Sequence, residues 1–346
     1  MEETKLSAPT KEAEKTIALF DTKPYDKLWF DKFKAVFNFK IKFIEAKLNS
    51  ESVVLANKCD AVCAFVNDTI DKNVIDYLHK KNANAIALRC AGYNNVDFQY
   101  AYGRVKVFNV PKYSPYSVAE HAMGILLTLN RRIHRAYIRT RDNNFSLNGL
   151  LGFDLFGKTM GVIGIGNIGS VFVNIAKGFG MSVIAYDPYP PKDSNVLLVS
   201  LDEIFRLSDF ISLHCPLNED TYHIINKRAL NKCKENLILI NTSRGALVDS
   251  EALLVALKTQ RIKGACLDVY EEEKDFFGCD LSNQIIKDDV LTSLISLPTV
   301  LVTAHQAYFT EESLQNITLT TLKNLQNYFN GIFENEITYQ HDYKKD

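Results

Sequence analysis

The segment MGVIGIGNIGS, residues 160–170, restricts the fold of this chain more than any other part of the sequence. It places the pattern Gly164-x-Gly166-x-x-Gly169 after an apolar run and before the amphipathic stretch SVFVNIAKGFG. In such a strand–turn–helix the first glycine allows the tight turn and the second lets the backbone approach a pyrophosphate. The third lets the helix pack close to the strand. Free N–H groups and the positive dipole end of the helix then face the phosphates, so the segment predicts a dinucleotide-binding unit.

An acidic residue follows at the spacing that such a unit uses for ribose. The next apolar run, SVIAYD, ends at Asp187, eighteen residues beyond Gly169 (187 − 169). A carboxylate at this place binds the ribose hydroxyls and repels a 2′-phosphate, so NAD is favoured over NADP. Three alternatives stay open: a glycine turn without a ligand, Asp187 as a turn or helix cap, and an S-adenosylmethionine site, which uses a related turn.

Short apolar runs alternate with longer amphipathic segments in two series along the chain. The first series is IALFD, FKIKFIEA, AVCAFV, AIALRCAG and VKVFNVP, and the second is MGVIGIG, SVIAYD, FISLHCP, LILINTS, GACLDVY and VLVTAH. This alternation is typical of parallel sheets with helices on both faces. The predicted fold class is α/β, with two Rossmann-like or flavodoxin-like parallel-sheet domains and a cleft between them. Residues 117–145 have the periodicity of one long helix, which is a candidate subunit interface.

Length and composition exclude several classes of function. A chain of 346 residues is expected to form two domains. A net charge of -1 without a basic block argues against nucleic acid and anionic membranes as partners, and no apolar run is long enough to span a bilayer. Residues 1–16 are charged and predict a disordered lead-in of a cytoplasmic protein. Seven scattered cysteines without a CxxC pair, and histidines without a ligand pattern, favour reduced thiols and no metal.

Polar side chains stand where the strands of the second series end, and this is the edge at which open α/β sheets bind ligands. The residues there are Arg244, the glutamates of DVYEEE, His305 and His214. A guanidinium holds a carboxylate bidentately, a histidine exchanges a proton near neutral pH, and a carboxylate beside it favours the imidazolium. Each also has a structural interpretation: Arg244 as a surface helix cap, His305 as a hydrogen-bonded strand-end residue, and the glutamates as a solvated run.

Seven strings in the chain carry a resemblance to a known family. They are LRCAGYNNVD, VPKYSPYSVAEHA, LNRRIHRAYIRTRDNNFSLNGLLGFDLFGKT, GVIGIGNIG, NTSRGALVD, DVYEEE and VTAHQAYFTEE. Together they resemble the D-isomer-specific 2-hydroxyacid dehydrogenases, and within them most the fermentative D-lactate dehydrogenases. The interval from Glu273 to His305 is 32 positions (305 − 273). It is longer than in phosphoglycerate and glycerate dehydrogenases, which favours the lactate branch.

The resemblance implies a catalytic trio: Arg244 of SRG, Glu273 as the second glutamate of D-V-x-E-x-E, and His305 of VTxH. Arg244 would hold the carboxylate of a 2-oxo acid, His305 would exchange a proton with its carbonyl oxygen, and Glu273 would orient the ring. NADH would supply hydride, so that pyruvate and D-lactate interconvert. The residues implied to border the substrate are Tyr113, Ala91 and Gly92.

The resemblance also implies how the cofactor is held. The cofactor residues are Gly164, Gly166, Asn167, Ile168 and Gly169 in the turn, Asp187 on the ribose, Cys215, Pro216 and Thr221 in a loop over the nucleotide, and Thr242, Ser243 and Asp268 near the nicotinamide. A substrate domain of residues 17–112 plus 313–346 would enclose an inserted NAD domain of residues 113–312. Assembly as a homodimer or homotetramer is the family's habit.

Two other functions stay open. A dehydrogenase for a bulkier 2-oxo acid would carry the same three catalytic residues. An NAD-sensing corepressor of this fold also retains them, but such proteins usually carry a long disordered tail, and this chain ends soon after its last predicted helix.

The three adjacent glutamates, Glu271 to Glu273, are not expected to point in the same direction. In extended chain, alternate side chains share a face, so Glu271 and Glu273 are expected to point together and Glu272 away from them. The family pattern selects Glu273, and Glu272 is expected to face solvent only.

Overall fold

The computed structural model of the protein describes residues 14–338. Residues 14–114 and 310–338 form one compact unit, and residues 115–309 form the second. The boundaries therefore fall two residues after and three residues before the positions expected from the sequence (114 − 112, 312 − 309). Each coincides with the start of a helix.

The disordered lead-in predicted over residues 1–16 is wrong for its last two residues. Residues 1–13 lie outside the described part of the chain, whereas Lys15 and Thr16 already belong to a strand. Asp60 explains the difference, because its carboxylate accepts hydrogen bonds from the Thr16 amide at 2.8 Å and the Lys15 ammonium at 3.3 Å.

Strands and helices alternate along residues 14–338. The strands are β1 Lys15–Leu19, β2 Phe39–Phe43, β3 Ala61–Ala64, β4 Ala85–Leu88, β5 Lys106–Phe108, β6 Thr159–Ile163, β7 Ser182–Tyr186, β8 Leu197–Leu198, β9 Phe210–Leu213, β10 Ile238–Asn241, β11 Gly264–Leu267, β12 Val300–Val302 and β13 Glu336–Ile337. The α-helices are α1 Pro24–Phe33, α2 Lys72–Lys80, α3 Phe98–Ala101, α4 Pro115–Asn130, α5 Ile133–Arg141, α6 Asn167–Gly178, α7 Leu201–Leu207, α8 Lys227–Lys232, α9 Ser250–Lys258, α10 Asp289–Ser296 and α11 Glu311–Phe329. Short 3-10 helices cover Lys34–Phe37, Ser52–Ala56, Gly245–Leu247 and Glu273–Asp275.

The first unit is built on a six-stranded sheet in the order β13-β5-β4-β3-β1-β2. Five of these strands are parallel, and β13 pairs antiparallel with β5 at one edge. The parallel part has the flavodoxin-like order 2-1-3-4-5. Helix α11 packs on this sheet. The last described helix therefore belongs to the first unit, together with residues 14–114.

The second unit contains a seven-stranded parallel sheet in the order β12-β11-β10-β9-β6-β7-β8. Numbered within the unit, this is 3-2-1-4-5-6 with one further strand, the doubly wound order of dinucleotide-binding folds. The order reverses at β6, the strand that leads into the glycine turn. The α/β prediction with two parallel-sheet domains is therefore confirmed.

Both sheets are buried on both faces, which explains their continuous apolar runs. All residues of β3, β4, β9, β10 and β11 are buried. Each unit accordingly has two hydrophobic clusters, one on each side of its sheet.

The single long helix predicted over residues 117–145 is wrong. Helix α4 ends at Asn130 and α5 begins at Ile133, because Arg132 between them adopts a left-handed φ of 54°. The buried Asn130 amide exchanges two hydrogen bonds with the backbone of Phe153, at 2.7 and 3.1 Å. Such a side chain–backbone interaction ends a helix without a proline or glycine to announce it.

Candidate active site

The glycine turn sits between β6 and α6, and two of its glycines are required by close contacts. Gly164 has a φ of +89°, and a Cβ there would lie 2.7 Å from the Cys215 amide nitrogen. A Cβ on Gly169 would lie 2.0 Å from the carbonyl oxygen of Gly164. A side chain at Gly164 would strain the tight turn and press on the backbone that follows β9, and one at Gly169 would push the helix away from the strand. These are the roles that the fingerprint gives to its first and third glycines.

The middle glycine of the turn faces open space. A Cβ on Gly166 would meet nothing within 4 Å, and both Gly166 and Asn167 are exposed. Gly166 is the N-cap of α6. Because it has no side chain, it leaves the amides of the first helical turn without a side-chain cap. Ile168, the next residue of α6, is half-buried. This open cradle above free N–H groups fits a pyrophosphate.

Asp187 holds the turn in place from the end of β7. Its Oδ2 accepts the Ile165 amide at 2.8 Å and its Oδ1 accepts the Tyr189 amide at 2.8 Å. This is the capping arrangement that the sequence left open for Asp187. Each carboxylate oxygen has a second lone pair, so contact with a ribose hydroxyl remains compatible with it.

His214 follows β9 but does not join the catalytic candidates. Its ring packs on Phe172 with centroids 4.8 Å apart, and its Nε2 lies 2.9 Å from the Ser212 hydroxyl. Desolvation lowers the pKa of His214 to about 3. The ring is therefore neutral at physiological pH and supports the glycine turn from behind.

The segment after His214 forms a loop that is held by hydrogen bonds among its own residues. Cys215 is buried against Gly164, whereas Pro216 is exposed. The Thr221 hydroxyl donates to the Pro216 carbonyl at 2.7 Å and accepts the Asn218 amide at 2.8 Å. The predicted contacts of Cys215, Pro216 and Thr221 with a nucleotide stay predictions.

Two residues at the end of β10 differ in how their hydroxyls are satisfied. Ser243 donates to the Cys215 carbonyl at 2.7 Å. Thr242 is only 6% exposed, and its Oγ1 has no hydrogen-bond partner among residues 14–338. A buried hydroxyl without a partner is costly, so Thr242 fits the proposed contact with a cofactor amide.

Arg244 follows directly and is half-buried. Its Nη1 donates to the Ser243 carbonyl at 2.8 Å, and its own carbonyl accepts the Asn241 side chain at 2.8 Å. Across residues 14–338 it forms no ion pair with a carboxylate. Its remaining N–H donors are thus available to an anionic ligand.

Gly245 lets the arginine loop lie against the end of β11. A Cβ on this residue would be 2.1 Å from the carbonyl carbon and oxygen of Tyr270 and 2.4 Å from the Glu271 amide nitrogen. These neighbours are backbone atoms that cannot rotate away. The glycine therefore brings the segments that carry Arg244 and the glutamate run into direct contact.

We expect Gly245→Ala to lower kcat/KM by about 10²-fold, since an added Cβ must displace the Arg244 loop by roughly 1 Å. Overpacking should also destabilise the fold by about 1–3 kcal/mol. Steady-state kinetics and thermal unfolding measure the two effects. Gly178→Ala is the matched control, because a Cβ there meets nothing within 4 Å. Equal kinetics for both variants would contradict the steric argument.

Glu273 and His305 form a direct pair. The Oε1 of Glu273 lies 2.6 Å from Nδ1 of His305, and its Oε2 accepts the Tyr270 amide at 2.9 Å. Since the carboxylate accepts a proton from Nδ1, Nε2 is the ring atom left for a ligand. The Tyr308 ring stands edge-on to the imidazole with centroids 6.5 Å apart.

Asp268 lies beneath this pair and shapes the loop that carries it. Its side chain is 0% exposed, and its oxygens accept the Thr303 hydroxyl and the amides of Gln306 and Ala307, at 2.5, 2.9 and 2.8 Å. Its carbonyl accepts the His305 amide at 2.7 Å. The predicted place of Asp268 beside a nicotinamide stays a prediction, whereas its role in supporting His305 was missed.

A second histidine, His121 of α4, completes this support. Its Nε2 lies 3.4 Å from Asp268 Oδ1 and 3.2 Å from the Thr303 hydroxyl. Burial by itself raises the pKa of the Asp268 carboxyl, but hydrogen bonds from His121, Thr303 and two backbone amides hold it below its usual range. No motif around His121 announces a contact with a residue so distant in sequence.

The glutamate run is not extended, so the expectation that Glu271 and Glu273 point together is wrong. A turn joins the Glu273 amide to the Tyr270 carbonyl at 3.3 Å. Glu271 instead lies 2.6 Å from Nε2 of His223. Glu272 is exposed, as expected.

The three residues predicted to border the substrate lie in the first unit. The Ala91 carbonyl accepts the Asn109 side chain at 2.8 Å, and the Gly92 carbonyl accepts the Cys90 thiol at 3.2 Å. Tyr113 is half-buried near the end of the unit. Their contact with a substrate stays a prediction.

Comparison with known proteins decides the family. A model of the D-isomer specific 2-hydroxyacid dehydrogenase NAD-binding domain matches residues 123–307. The D-lactate dehydrogenase of Escherichia coli strain K12 is 49% identical over 319 residues, which cover 91% of this chain and 97% of that protein. The chain belongs to the D-isomer specific 2-hydroxyacid dehydrogenases. This dehydrogenase is accordingly an oxidoreductase that uses NAD.

Solved structures extend the similarity to the whole fold of this dehydrogenase. The apo structure of D-lactate dehydrogenase from Escherichia coli has a TM-score of 0.84 at 46% identity, covering 93% of this chain and 100% of that one. A structure of the pyruvate reductase of Chlamydomonas reinhardtii has a TM-score of 0.87 at 40% identity, covering 92% and 98%.

The described part of this dehydrogenase contains neither a candidate metal site nor a candidate membrane span. Within residues 14–338, no three His, Cys, Asp or Glu side chains are grouped so that they could hold a metal ion. In the same range, no helix is both long and apolar enough to cross a membrane.

Proposed function

We propose that this dehydrogenase reduces pyruvate to D-lactate with NADH and catalyses the reverse reaction with NAD. Two similar proteins are named for lactate and pyruvate chemistry. The observation that carries the proposal is the 2.6 Å pair of Glu273 and His305. It leaves one ring nitrogen free to exchange a proton, at the sheet edge that also carries Arg244.

Arg244 would bind the substrate carboxylate. A guanidinium presents two parallel N–H donors to the two oxygens of a carboxylate, and Arg244 has no carboxylate partner of its own in residues 14–338. A positive charge beside the 2-oxo group also polarises its carbonyl. The same residue would thus bind the substrate and stabilise the developing alkoxide.

His305 would supply the proton. In the direction of reduction, Nε2 of the imidazolium donates to the oxygen on C2, and in oxidation the neutral ring takes the proton back. Glu273 would orient the ring through Nδ1 and favour its protonated form. Asp268 would keep the backbone of the His305 loop fixed.

Bound NADH supplies the hydride for C2. We propose that the open cradle at Gly166 and the N-terminus of α6 hold its pyrophosphate, and that Asp187 faces the ribose. The buried hydroxyl of Thr242 would accept or donate a hydrogen bond on the nicotinamide side. A carboxylate at Asp187 would reject the 2′-phosphate of NADPH.

A panel of 2-oxo acids assayed with NADH and with NADPH tests this proposal. The expected result is the highest kcat/KM with pyruvate and NADH. A higher value for 2-oxo acids with longer side chains would assign the enzyme to a bulkier substrate. No turnover with any of them would refute the activity and leave the corepressor alternative.

Glu273→Gln should lower kcat by about 10²-fold, because a neutral amide neither favours the imidazolium nor fixes the ring tautomer. Glu272→Gln is the matched control one position away, where the side chain is exposed and should have little effect. Similar losses in both variants would show that Glu273 has no special role.

We also propose that the protein forms a homodimer through α5 and the segment that follows it. None of the residues of α5 is buried, and the segment exposes Leu147 at 82% and Leu151 at 92%. Exposed apolar residues at this density mark an interaction surface. Sedimentation should give twice the chain mass, and Leu147→Asp with Leu151→Asp should give monomers. A monomeric wild-type protein would contradict this assembly.

The cysteines favour a reducing compartment, and we propose the cytoplasm. No disulfide bond is present within residues 14–338, and burial raises the pKa of Cys63, Cys215 and Cys233 to about 12. Such thiols are unreactive. Cell fractionation with activity as the readout checks the location.

A further inference from the structure

A second histidine–carboxylate pair lies beside the candidate active site. Nε2 of His223 is 2.6 Å from Oε1 of Glu271, the same separation as in the pair of His305 and Glu273. Both side chains are largely withdrawn from solvent, with 26% of His223 and 20% of Glu271 exposed. A charge-assisted hydrogen bond of this length is strong for its class.

The two pairs use opposite atoms of the imidazole. His305 meets its carboxylate through Nδ1, next to the backbone, and so keeps the tip of its ring free. His223 meets Glu271 through Nε2, which is the tip itself. The outward nitrogen of His223 is therefore occupied, and this residue is arranged to hold another group rather than to donate a proton to a ligand.

The pair joins two segments that enclose the arginine loop. On one side, the His223 amide donates to the Ala246 carbonyl at 2.9 Å and the Ile225 amide to the Leu247 carbonyl at 3.0 Å. On the other side, Gly245 lies against the backbone of Tyr270 and Glu271. The hydrogen bond between His223 and Glu271 connects the two flanks around residues 244–247.

The backbone of His223 supports the same interpretation. Its φ is 51°, a left-handed conformation that few residues other than glycine adopt, although histidine, asparagine and aspartate do so more often than the rest. Strained residues persist where their surroundings determine them strongly. Here the surroundings are the Ala246 carbonyl that accepts the His223 amide, the Tyr222 ring stacked on the imidazole with centroids 4.0 Å apart, and the carboxylate of Glu271.

We propose that His223 and Glu271 are positioning residues for Arg244. Their hydrogen bond braces the loop that presents the guanidinium to the substrate carboxylate. It also gives Glu271 a partner other than Arg244, which leaves that guanidinium available to the substrate. The inference rests on the proposed function, because it assumes that Arg244 binds a 2-oxo acid.

The test compares His223→Asn, Glu271→Ala, the double variant and Glu271→Gln in the full-length protein. Asparagine tolerates the left-handed φ but is too short to reach Glu271. We expect each of the first two variants to raise KM for pyruvate about tenfold, with kcat and the Kd for NADH nearly unchanged. The double variant should be no worse than Glu271→Ala, because the two residues act as one unit.

Glu271→Gln should restore most of the wild-type KM, since its amide oxygen still accepts a proton from Nε2. Glu272→Ala is the control for the exposed neighbour and should leave KM as in the wild type. A folded variant with unchanged KM overturns the proposal. So does a joint rise of KM and of the Kd for NADH, which would indicate a general packing role.

Two further outcomes are separable. If His223→Asn does not fold, the two Glu271 variants decide the question alone. If the wild-type protein itself turns over no short 2-oxo acid, the proposed function fails. The inference that His223 and Glu271 position Arg244 for a substrate then fails as well.

Discussion

Replacing His305 by asparagine lowers kcat for pyruvate reduction by about 10²–10⁴-fold, the usual contribution of a positioned general acid. Asparagine keeps the left-handed backbone, whose φ is 52° at His305. It therefore removes the proton donor without forcing the loop over Asp268 to move. Binding of NADH should be retained, and fluorescence titration measures it beside the steady-state kinetics.

His223→Asn is the matched control for this variant, because it changes the same residue type at a similar φ of 51° and removes a similar 2.6 Å carboxylate pair. The two should differ in kind: His305→Asn should act on kcat and His223→Asn on KM. A His305→Asn enzyme with kcat within about threefold of wild type would contradict the assignment of the proton donor.

Arg244→Gln is expected to lower kcat/KM for pyruvate by about 10²–10⁴-fold, because it removes the charge partner of a bound carboxylate. Arg244→Lys should recover only part of this loss, since an ammonium keeps the charge but lacks the planar fork. The effect should be specific to the carboxylate. We therefore expect the preference of the wild-type enzyme for pyruvate over its methyl ester to disappear in Arg244→Gln.

Arg206→Gln serves as the control for Arg244, because Arg206 is an exposed residue of α7 paired with Asp202. Its kinetics should match the wild type. If Arg244→Gln kept the full preference for pyruvate over the ester, another group would have to bind the carboxylate.

The glycine turn and the fold class were predictable because the signals are local. The three glycines, the strand before them and the helix after them stand within about twenty residues. Gly164 and Gly169 each meet a steric need within the fold, and Gly166 leaves the turn open. The trio of Arg244, Glu273 and His305 was identified by strand-end position and family motif. The variants above test their roles, and the pair of Glu273 and His305 already has the contact that its proposed chemistry requires.

The features that escaped prediction depend on contacts between distant residues. The break between α4 and α5 depends on the contact of Asn130 with Phe153, which lies 23 positions further along the chain. The partner of Glu271 is 48 positions away, and a turn replaces the extended chain that the alternation rule assumes. Composition and periodicity carry no information of this kind.

The product that the purified protein forms from pyruvate and NADH decides whether it is a D-lactate dehydrogenase. Chiral chromatography of the reaction mixture, with NADH oxidation followed in parallel, measures the identity and amount of the product. We expect one D-lactate for each NADH consumed. L-lactate, a racemic product, or NADH oxidation without lactate would contradict it.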